Sequence, residues 1–134
     1  MDQEKLMENL VVTCLDTAKP MLDEYKMVIP FGIRAFKESD DLKMNCPGDK
    51  NPEANFDKQI EMVVEELKSF VENEQIHATA LVTELESGEE KAIGLQIETE
   101  QSPVLFAYPF HKEDEKWVID EPIQTGQLLA TVFK

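Results

Sequence analysis

Few side chains in this sequence have the types and spacing that nucleophilic or acid–base chemistry requires. The 134-residue chain has two cysteines, Cys14 and Cys46, and two histidines, His77 and His111. A cysteine nucleophile needs a base within hydrogen-bonding reach, and no spacing here predicts such a pair. We therefore expect reduced, partly buried cysteines, although a disulfide between them stays open.

Three side chains are candidates for contact with a ligand or partner: Arg34, His77 and His111. Arg34 is the only arginine, and arginine is a fixed bidentate donor for anionic groups. A lone arginine in an acidic protein is more often an ion-pair partner. His77 is predicted at the start of a strand, and His111 in a polar turn.

Two acidic clusters offer the oxygen ligands that hard cations prefer. One surrounds a predicted turn at Ser87-Gly88, and the other spans residues 113–115. The first cluster consists of Glu84, Glu86, Glu89 and Glu90. Neither has the spacing of an EF-hand loop, and charged residues are expected at exposed turns. We therefore expect solvated turns and assign no metal ligand.

The common motifs of catalysis and cofactor binding are missing from the sequence. It has no G-x-G-x-x-G, P-loop, H-E-x-x-H, C-x-x-C or G-x-S-x-G pattern. A carboxylate pair for acid–base chemistry would need one desolvated member, and each candidate lies in a polar context. We assign no catalytic or cofactor-binding residue. The sequence leaves enzymatic activity open and favours a protein without one.

The charge restricts the classes of partner. The chain has 28 acidic and 13 basic residues, a net charge of −15 at pH 7. Such a charge repels nucleic-acid phosphates and anionic lipids, so neither nucleic acid nor membrane is expected as a partner. It suits a basic protein partner or simply solubility, which is favoured. With no signal peptide or membrane-span pattern, we expect a cytoplasmic protein.

Two amphipathic helices are predicted. The first covers residues 2–25, where Pro20 predicts a kink or a short second helix. The second begins at Asn51-Pro52, as cap and first position, and runs to about Asn73. Its predicted outer face carries the carboxylates of Asp57, Glu61, Glu65 and Glu72.

Alternating apolar residues predict a central hairpin with strands Ile76–Glu86 and Glu89–Glu100. A turn at Ser87-Gly88 would place Val82 opposite Ile93 and Glu84 opposite Lys91, with the apolar residues of both strands on one face. The alanines on that face, Ala78 and Ala80, leave room for a helix.

The same pattern predicts a second hairpin over Met27–Cys46, with Ala35 opposite Met44 and Ile33 opposite Cys46. Pro30 indicates an edge position or a late start of pairing.

Further strands are predicted towards the C-terminus. Val104–Phe110 is apolar on both faces and reads as an interior strand, and Trp117–Ile119 pairs back onto it. Thr131–Phe133 is predicted as a strand, and Gln124–Ala130 stays open between strand and helix.

Residues 1–134 are thus expected to form a single α+β domain with element order α-ββ-α-ββ-ββ. A mostly antiparallel sheet of about five to six strands would have two helices packed on one face.

Two segments of the sequence resemble segments of known proteins. One is Tyr25–Ala35, in which a helix end leads into Val28-Ile29-Pro30-Phe31-Gly32, and the other is the later Tyr108-Pro109-Phe110 step. Both are similar to small uncharacterised bacterial α+β proteins in which a long helix leads into a "YPFG"-like strand. The resemblance implies a bacterial protein of this fold, and it brings no activity and no functional residue.

The sequence leaves the function unknown and favours a small acidic, non-enzymatic protein-interaction domain, immunity-protein-like or chaperone-like. That comparison is an analogy of composition and fold. The alternative is a small-ligand-binding protein or enzyme with a pocket between helices and sheet, for which Ala78, Ala80, Ala92 and Gly94 could leave space. A homodimer is also possible, through an exposed edge near Pro30 or at the C-terminal strand.

Overall fold

The computed structural model describes residues 3–37, 41–49, 53–87, 89–99 and 103–125. Two helices, α1 (Gln3–Tyr25) and α2 (Phe56–Asn73), are joined to seven strands and a short 3₁₀ helix at Pro47–Asp49. The strands are β1 (Phe31–Phe36), β2 (Leu42–Asn45), β3 (Ile76–Ser87), β4 (Glu90–Thr99), β5 (Val104–Glu113), β6 (Lys116–Ile119) and β7 (Ile123–Thr125). Neither helix in these ranges combines the length and apolar character needed to cross a bilayer.

The strands form one antiparallel sheet in the order β2-β1-β3-β4-β5-β6, with β7 also paired to β5. The predicted α+β class and element order are confirmed. The interior position of β5, between β4 on one side and β6 and β7 on the other, is also confirmed. Residues 126–134, which include the predicted strand Thr131–Phe133, lie outside the described residues.

One face of the sheet, the α1 face, packs against α1. The helix contributes a stripe at three- and four-residue spacing, which is the pattern of a buried helix face. The stripe is Leu6, Leu10, Cys14, Ala18 and Leu22. It meets alternate residues of three central strands: Phe31, Ile33, Ala35, Ala78, Ala80, Val82, Ile93, Leu95 and Ile97. The two alanines of β3 are fully buried in this cluster, so the room that they leave is used to seat α1.

The opposite face, the α2 face, packs against α2. Val63, Val64 and Leu67 form a second buried cluster with Leu81 of β3. A Cβ atom added at Gly32 would lie 3.0 Å from side-chain atoms of both Leu67 and Val63. The prediction that both helices pack on one face is therefore wrong. Many of the strand residues between the apolar ones are buried on this face as well, including the polar Thr79 and Gln96 and the charged Arg34 and Glu98.

Both predicted registers are wrong by two residues. Val82 pairs with Leu95 instead of Ile93, and Ile33 pairs with Met44 instead of Cys46. A shift of two residues keeps every side chain on its face, whereas a shift of one would reverse the faces. The alternation pattern therefore predicted the faces correctly without determining the pairs. Since Ser87 pairs with Glu90, the hairpin turn also comes later than predicted.

The helix boundaries differ from the predictions in two places. α1 continues through Pro20 to Tyr25 as one helix, so no short second helix forms. α2 begins at Phe56 and is capped by Asn55, whose side chain accepts a hydrogen bond from the Lys58 N–H. The predicted cap at Asn51 was too early, and that residue lies outside the described ranges.

The late start of β1 is confirmed, because the strand begins at Phe31, directly after Pro30. β1 is an interior strand between β2 and β3. The edge expected near Pro30 is therefore not there. Among the described strands, β2 lies at one end of the sheet and β6 with β7 at the other.

Candidate functional site

Arg34 lies on the α2 face of β1 and is 8% exposed. Its Nε donates a hydrogen bond of 3.0 Å to Oε1 of Glu74, the residue that follows α2. The guanidinium carbon lies 3.7 Å from the ring centroid of Phe70. The planar donor group is therefore engaged by the end of α2, and its position favours the ion-pair interpretation over ligand binding.

The two cysteines differ in their surroundings. Both are free thiols, as expected. Burial raises the pKa of Cys14 to about 12, so this thiol stays protonated and unreactive at neutral pH. Cys46 is half-buried, and its Sγ donates to the carbonyl oxygen of Pro30 at 3.5 Å. His77 is half-buried at the start of β3.

The acidic cluster around the central hairpin divides into two pairs with different surroundings. Lys91 Nζ lies 3.8 Å from carboxylate oxygens of both Glu84 and Glu86. Glu86 is its direct cross-strand partner, so the predicted pairing of Glu84 opposite Lys91 is replaced by a diagonal contact. Glu89 and Glu90 are exposed at the start of β4. Within the described part of the chain, neither Glu89 nor Glu90 forms an ion pair.

Glu84 is the most enclosed carboxylate of this cluster, with a side chain that is 5% exposed. Its Oε1 accepts a hydrogen bond of 3.2 Å from the backbone N–H of Val28, in the connection between α1 and β1. Burial raises the pKa of Glu84, and the Val28 hydrogen bond and the charge of Lys91 oppose that shift. Glu84 therefore links the segment between α1 and β1 to strand β3 of the sheet.

A groove opens where the β3–β4 hairpin ends beside β5 and β6. We call it the tip groove, and its volume is about 530 Å³. It is lined by Glu89, Glu90, Lys91, Pro109, Phe110, His111, Trp117 and Asp120. The pairing of β5 with β4 and with β6 brings these residues together from three parts of the sequence. Its lining combines aromatic residues with charged residues, which we call its rim.

Two aromatic residues of the groove lining, Phe110 and Trp117, also belong to the core cluster on the α1 face. Phe110 is 6% exposed, and its ring meets the Trp117 ring edge to face, with centroids 5.5 Å apart and planes at 76°. Lys112 Nζ lies 5.4 Å from the Trp117 ring centroid, within the range of a cation–π contact. The indole of Trp117 is therefore already in contact with a positively charged side chain of this protein.

His111 lies on the rim between two carboxylates. Its Nδ1 is 3.1 Å from Oδ2 of Asp120, and its Nε2 is 3.3 Å from Oε2 of Glu113. Asp120 is positioned by its backbone N–H, which donates to the Pro109 carbonyl at 2.7 Å. Hydrogen bonds to Glu113 and then to Asp120 raise the pKa of His111, because the imidazolium can donate from both nitrogens.

Among the described residues, no group of three or more histidine, cysteine or acidic side chains is arranged to hold a metal ion. Within the second acidic cluster, Glu113 contacts His111. Asp114 and Glu115 form the exposed turn between β5 and β6, both with positive φ. This cluster therefore builds a turn and orients a histidine.

Sequence reasoning singled out His111 and the acidic hairpin separately, and it missed Phe110, Trp117 and Asp120 as their neighbours. One usable signal was present. A tight turn at residues 114–115 places His111 opposite Val118 and Lys112 opposite Trp117, as is observed. Pairing this hairpin in register would have placed Trp117 opposite Lys112, on the same face as Phe110.

Comparison of the chain with family models, curated proteins and solved structures found no match. The resemblance to small bacterial proteins with a "YPFG"-like strand stays a prediction. The function must therefore be argued from the site.

Proposed function

We propose that this chain is a non-enzymatic protein-interaction domain whose partner is a basic protein. The observation that supports this most directly is the distribution of charge. Among the described residues, ion pairs within the domain hold the cations Arg34, Lys58, Lys68 and Lys91. Carboxylates meanwhile remain exposed on the outer face of α2 and on the rim of the tip groove. This leaves a negative surface that complements a positive one.

The outer face of α2 presents a row of exposed carboxylates along the helix. They are Asp57, Glu61, Glu65 and Glu72. Lys58 and Lys68 lie 3.7 Å from Glu61 and Glu65, respectively. Such exposed pairs contribute little to stability, about 0–1 kcal/mol each. They are therefore easily exchanged for contacts with a partner.

The sequence suggested that small residues could leave space for an internal ligand pocket. In the structure, other side chains pack into the space beside these residues. Ala78 and Ala80 are fully buried in the cluster that includes α1. A Cβ atom added at Gly94 would lie 2.8 Å from Leu85 Cδ1, so the Leu85 side chain occupies that space. These packing contacts favour the interaction domain over the ligand-binding alternative.

The sheet edges favour docking through side chains over strand addition. β2 has four residues, including Lys43, and β6 also has four. Short edge strands with lysine are features that prevent strands from different chains from pairing. We therefore propose a side-chain contact with a different, basic protein, and we place the encounter in the cytoplasm. A homodimer through these edges is the less favoured arrangement.

The test is a panel of immobilised short peptides with graded net charge, measured by biolayer interferometry against the purified chain. We expect binding to peptides rich in arginine or lysine, and weakening as salt screens the charges. Peptides with the same composition in scrambled order separate sequence recognition from general attraction. If no basic peptide binds better than a neutral one, the proposal is wrong. A small molecule that raises the melting temperature, in a chain that binds no basic peptide, would favour the ligand-binding alternative.

A further inference from the structure

Strands β4 and β5 carry buried side chains on the α2 face of the sheet. Gln96 of β4 pairs with Leu81 of β3 on one side and with Leu105 of β5 on the other. Paired residues share a face of the sheet, and Leu81 packs against α2, so all three side chains lie on the α2 face. Gln96 is 1% exposed and Leu105 is 3% exposed. Other parts of the chain must therefore cover both side chains.

The packing of α2 does not account for the burial of Leu105. The helix packs mainly against β1 and β3, and its buried cluster takes Leu81 from the sheet. Leu105 belongs neither to that cluster nor to the cluster on the α1 face. It therefore has no place in either apolar cluster of the described residues, which leaves its cover to another segment.

One side of α2 faces these two strands. Glu66 accepts a hydrogen bond of 2.8 Å from Asn45 of β2, and Phe70 stacks on Arg34 of β1, so this side of the helix faces β2 and β1. Ile60 and Val64 lie about 100° round the helix from Phe70. Because β4 lies beyond β3 on the side away from β1 and β2, these two apolar side chains form a wall towards β4 and β5.

We propose that residues 126–134 dock on the α2 face of β4 and β5, beside α2. Thr125, the last residue of β7, lies opposite Leu105, so the chain leaves the sheet next to the buried leucine. Residues 126–134 are the longest segment outside the described ranges. They include the apolar side chains that such a site would bury: Leu128, Leu129, Val132 and Phe133.

The lengths of the neighbouring segments favour this occupant. Neighbouring strands lie about 4.8 Å apart, so a segment that crosses β5 and β4 must span about 10 Å before it reaches α2. Nine residues reach up to about 30 Å. The connection between β4 and β5 at residues 100–102 reaches only about 10 Å, and it must also reverse the direction of the chain. The longer segment can therefore cover Gln96 and Leu105 together.

A tryptophan placed in the segment tests docking, since Trp117 is the only tryptophan in the chain. In a Trp117→Phe background, Leu129→Trp and Phe133→Trp each place a single indole there. Ile123→Trp, at a 60% exposed position on the same face, is the matched control. Acrylamide should quench at least one of the segment indoles about threefold less than the control indole, as expected for a terminus that is tied down.

A double-mutant cycle tests the location. Leu128→Ala/Leu129→Ala should raise the equilibrium constant of unfolding at least about tenfold, because buried leucines lose apolar contacts. In a chain that already carries Leu105→Ala, the same change should raise it at least about threefold less, since residues in contact are coupled. Leu95→Ala truncates a leucine on the α1 face of β4 and is the control, for which we expect additive losses.

Each outcome decides the proposal. If both segment indoles are quenched as strongly as the control indole, residues 126–134 are not docked and the proposal is wrong. Losses that are additive with Leu105→Ala would overturn the location even where an indole is protected. The quenching experiment keeps Leu105 and Gln96 unchanged, so it decides docking by itself if Leu105→Ala prevents folding. The proposed function does not depend on either result.

Discussion

Arg34 on β1 and Glu74 at the end of α2 form an ion pair of 3.0 Å between Nε and Oε1, with Phe70 stacked 3.7 Å from the guanidinium carbon. The pair joins two residues that are 40 positions apart in the sequence. It ties the end of α2 to the strand beneath it. The single arginine of an acidic chain is thus used to hold a helix on the sheet.

Replacing Arg34 with lysine should destabilise the fold although the charge is kept. A lysine cannot stack a planar group on Phe70 while donating to Glu74. We expect the free energy of unfolding in urea to fall by about 1–3 kcal/mol, the range for a hydrogen bond to a charged group together with its aromatic contact. Lys43→Arg, the reverse exchange at the exposed neighbour across β2, is the control and should change little. Equal stability of Arg34→Lys and the unchanged chain would contradict this role.

The close contact between β1 and α2 depends on glycine at position 32. A Cβ atom there would lie 2.8 Å from Asn45 Oδ1 and 3.0 Å from atoms of Leu67 and Val63. We expect Gly32→Ala to lower the free energy of unfolding by about 1–3 kcal/mol through overpacking. In a double-mutant cycle, Gly32→Ala should lower the free energy of unfolding by less when Leu67 is already alanine. The reason is that Leu67→Ala removes one of the side chains that the new Cβ atom would clash with.

Gly94→Ala is the matched control for Gly32→Ala. The three atoms nearest to its new Cβ atom all belong to the half-buried Leu85 side chain, which is flexible enough to give way more easily than the packed contacts at position 32. We expect a smaller loss than at position 32. A loss at position 94 as large as that at position 32 would argue against close packing of α2 on β1.

Glu84 should tolerate glutamine and not alanine. Glutamine keeps an oxygen that accepts the Val28 N–H, whereas alanine leaves that buried donor unpaired, which costs about 1–3 kcal/mol. Because burial raises the pKa of Glu84, its protonated form favours folding. This contribution is fully present below the unfolded pKa and is lost as the pH rises through the folded pKa.

The measurement for Glu84 is urea unfolding across the acidic range for the glutamine and alanine variants. Glu84→Gln should remove that part of the pH dependence and equal or exceed the original stability at neutral pH. If Glu84→Gln were as destabilised as Glu84→Ala, the hydrogen bond to Val28 would not be the main contribution of this residue.

His111 should titrate above the ordinary histidine range, because Glu113 and Asp120 both accept hydrogen bonds from its charged form. An NMR titration of the imidazole resonances measures this pKa. Glu113→Gln should lower it, and Asp120→Asn should lower it by less. Glu115→Gln removes the same charge from the adjacent turn without a hydrogen bond to His111, so its effect should be the smallest.

The effect of His111 on the pH dependence of folding stability has a definite sign. Its folded pKa is raised, so the stability that it contributes is fully present below the unfolded pKa and is lost as the pH rises through the folded value. The histidine is exposed and the contribution is correspondingly small. An imidazole that titrated at or below the ordinary value would show that the two carboxylates do not hold it in solution.

Much of the fold was predictable because local sequence patterns indicate its helices and strands. The stripe on α1 and the alternation of β3 and β4 identified the elements and which of their residues are buried on the α1 face. Asn55, the observed cap of α2, was missed because Asn51-Pro52 offers a similar local signal. The tip groove was not predictable as a unit, since Glu90, Phe110 and Trp117 lie on three different strands.

The sequence by itself determined the element order, the faces of the central strands and the strongly acidic charge. The tertiary structure decided the pairing of Val82 with Leu95, the placement of the helices on opposite faces and the surroundings of each carboxylate. The physical reason is the two-residue period of a strand, which leaves the faces unchanged when the register shifts by two. Which face a helix covers, and which charges find partners, depends on contacts between distant segments that no local pattern contains.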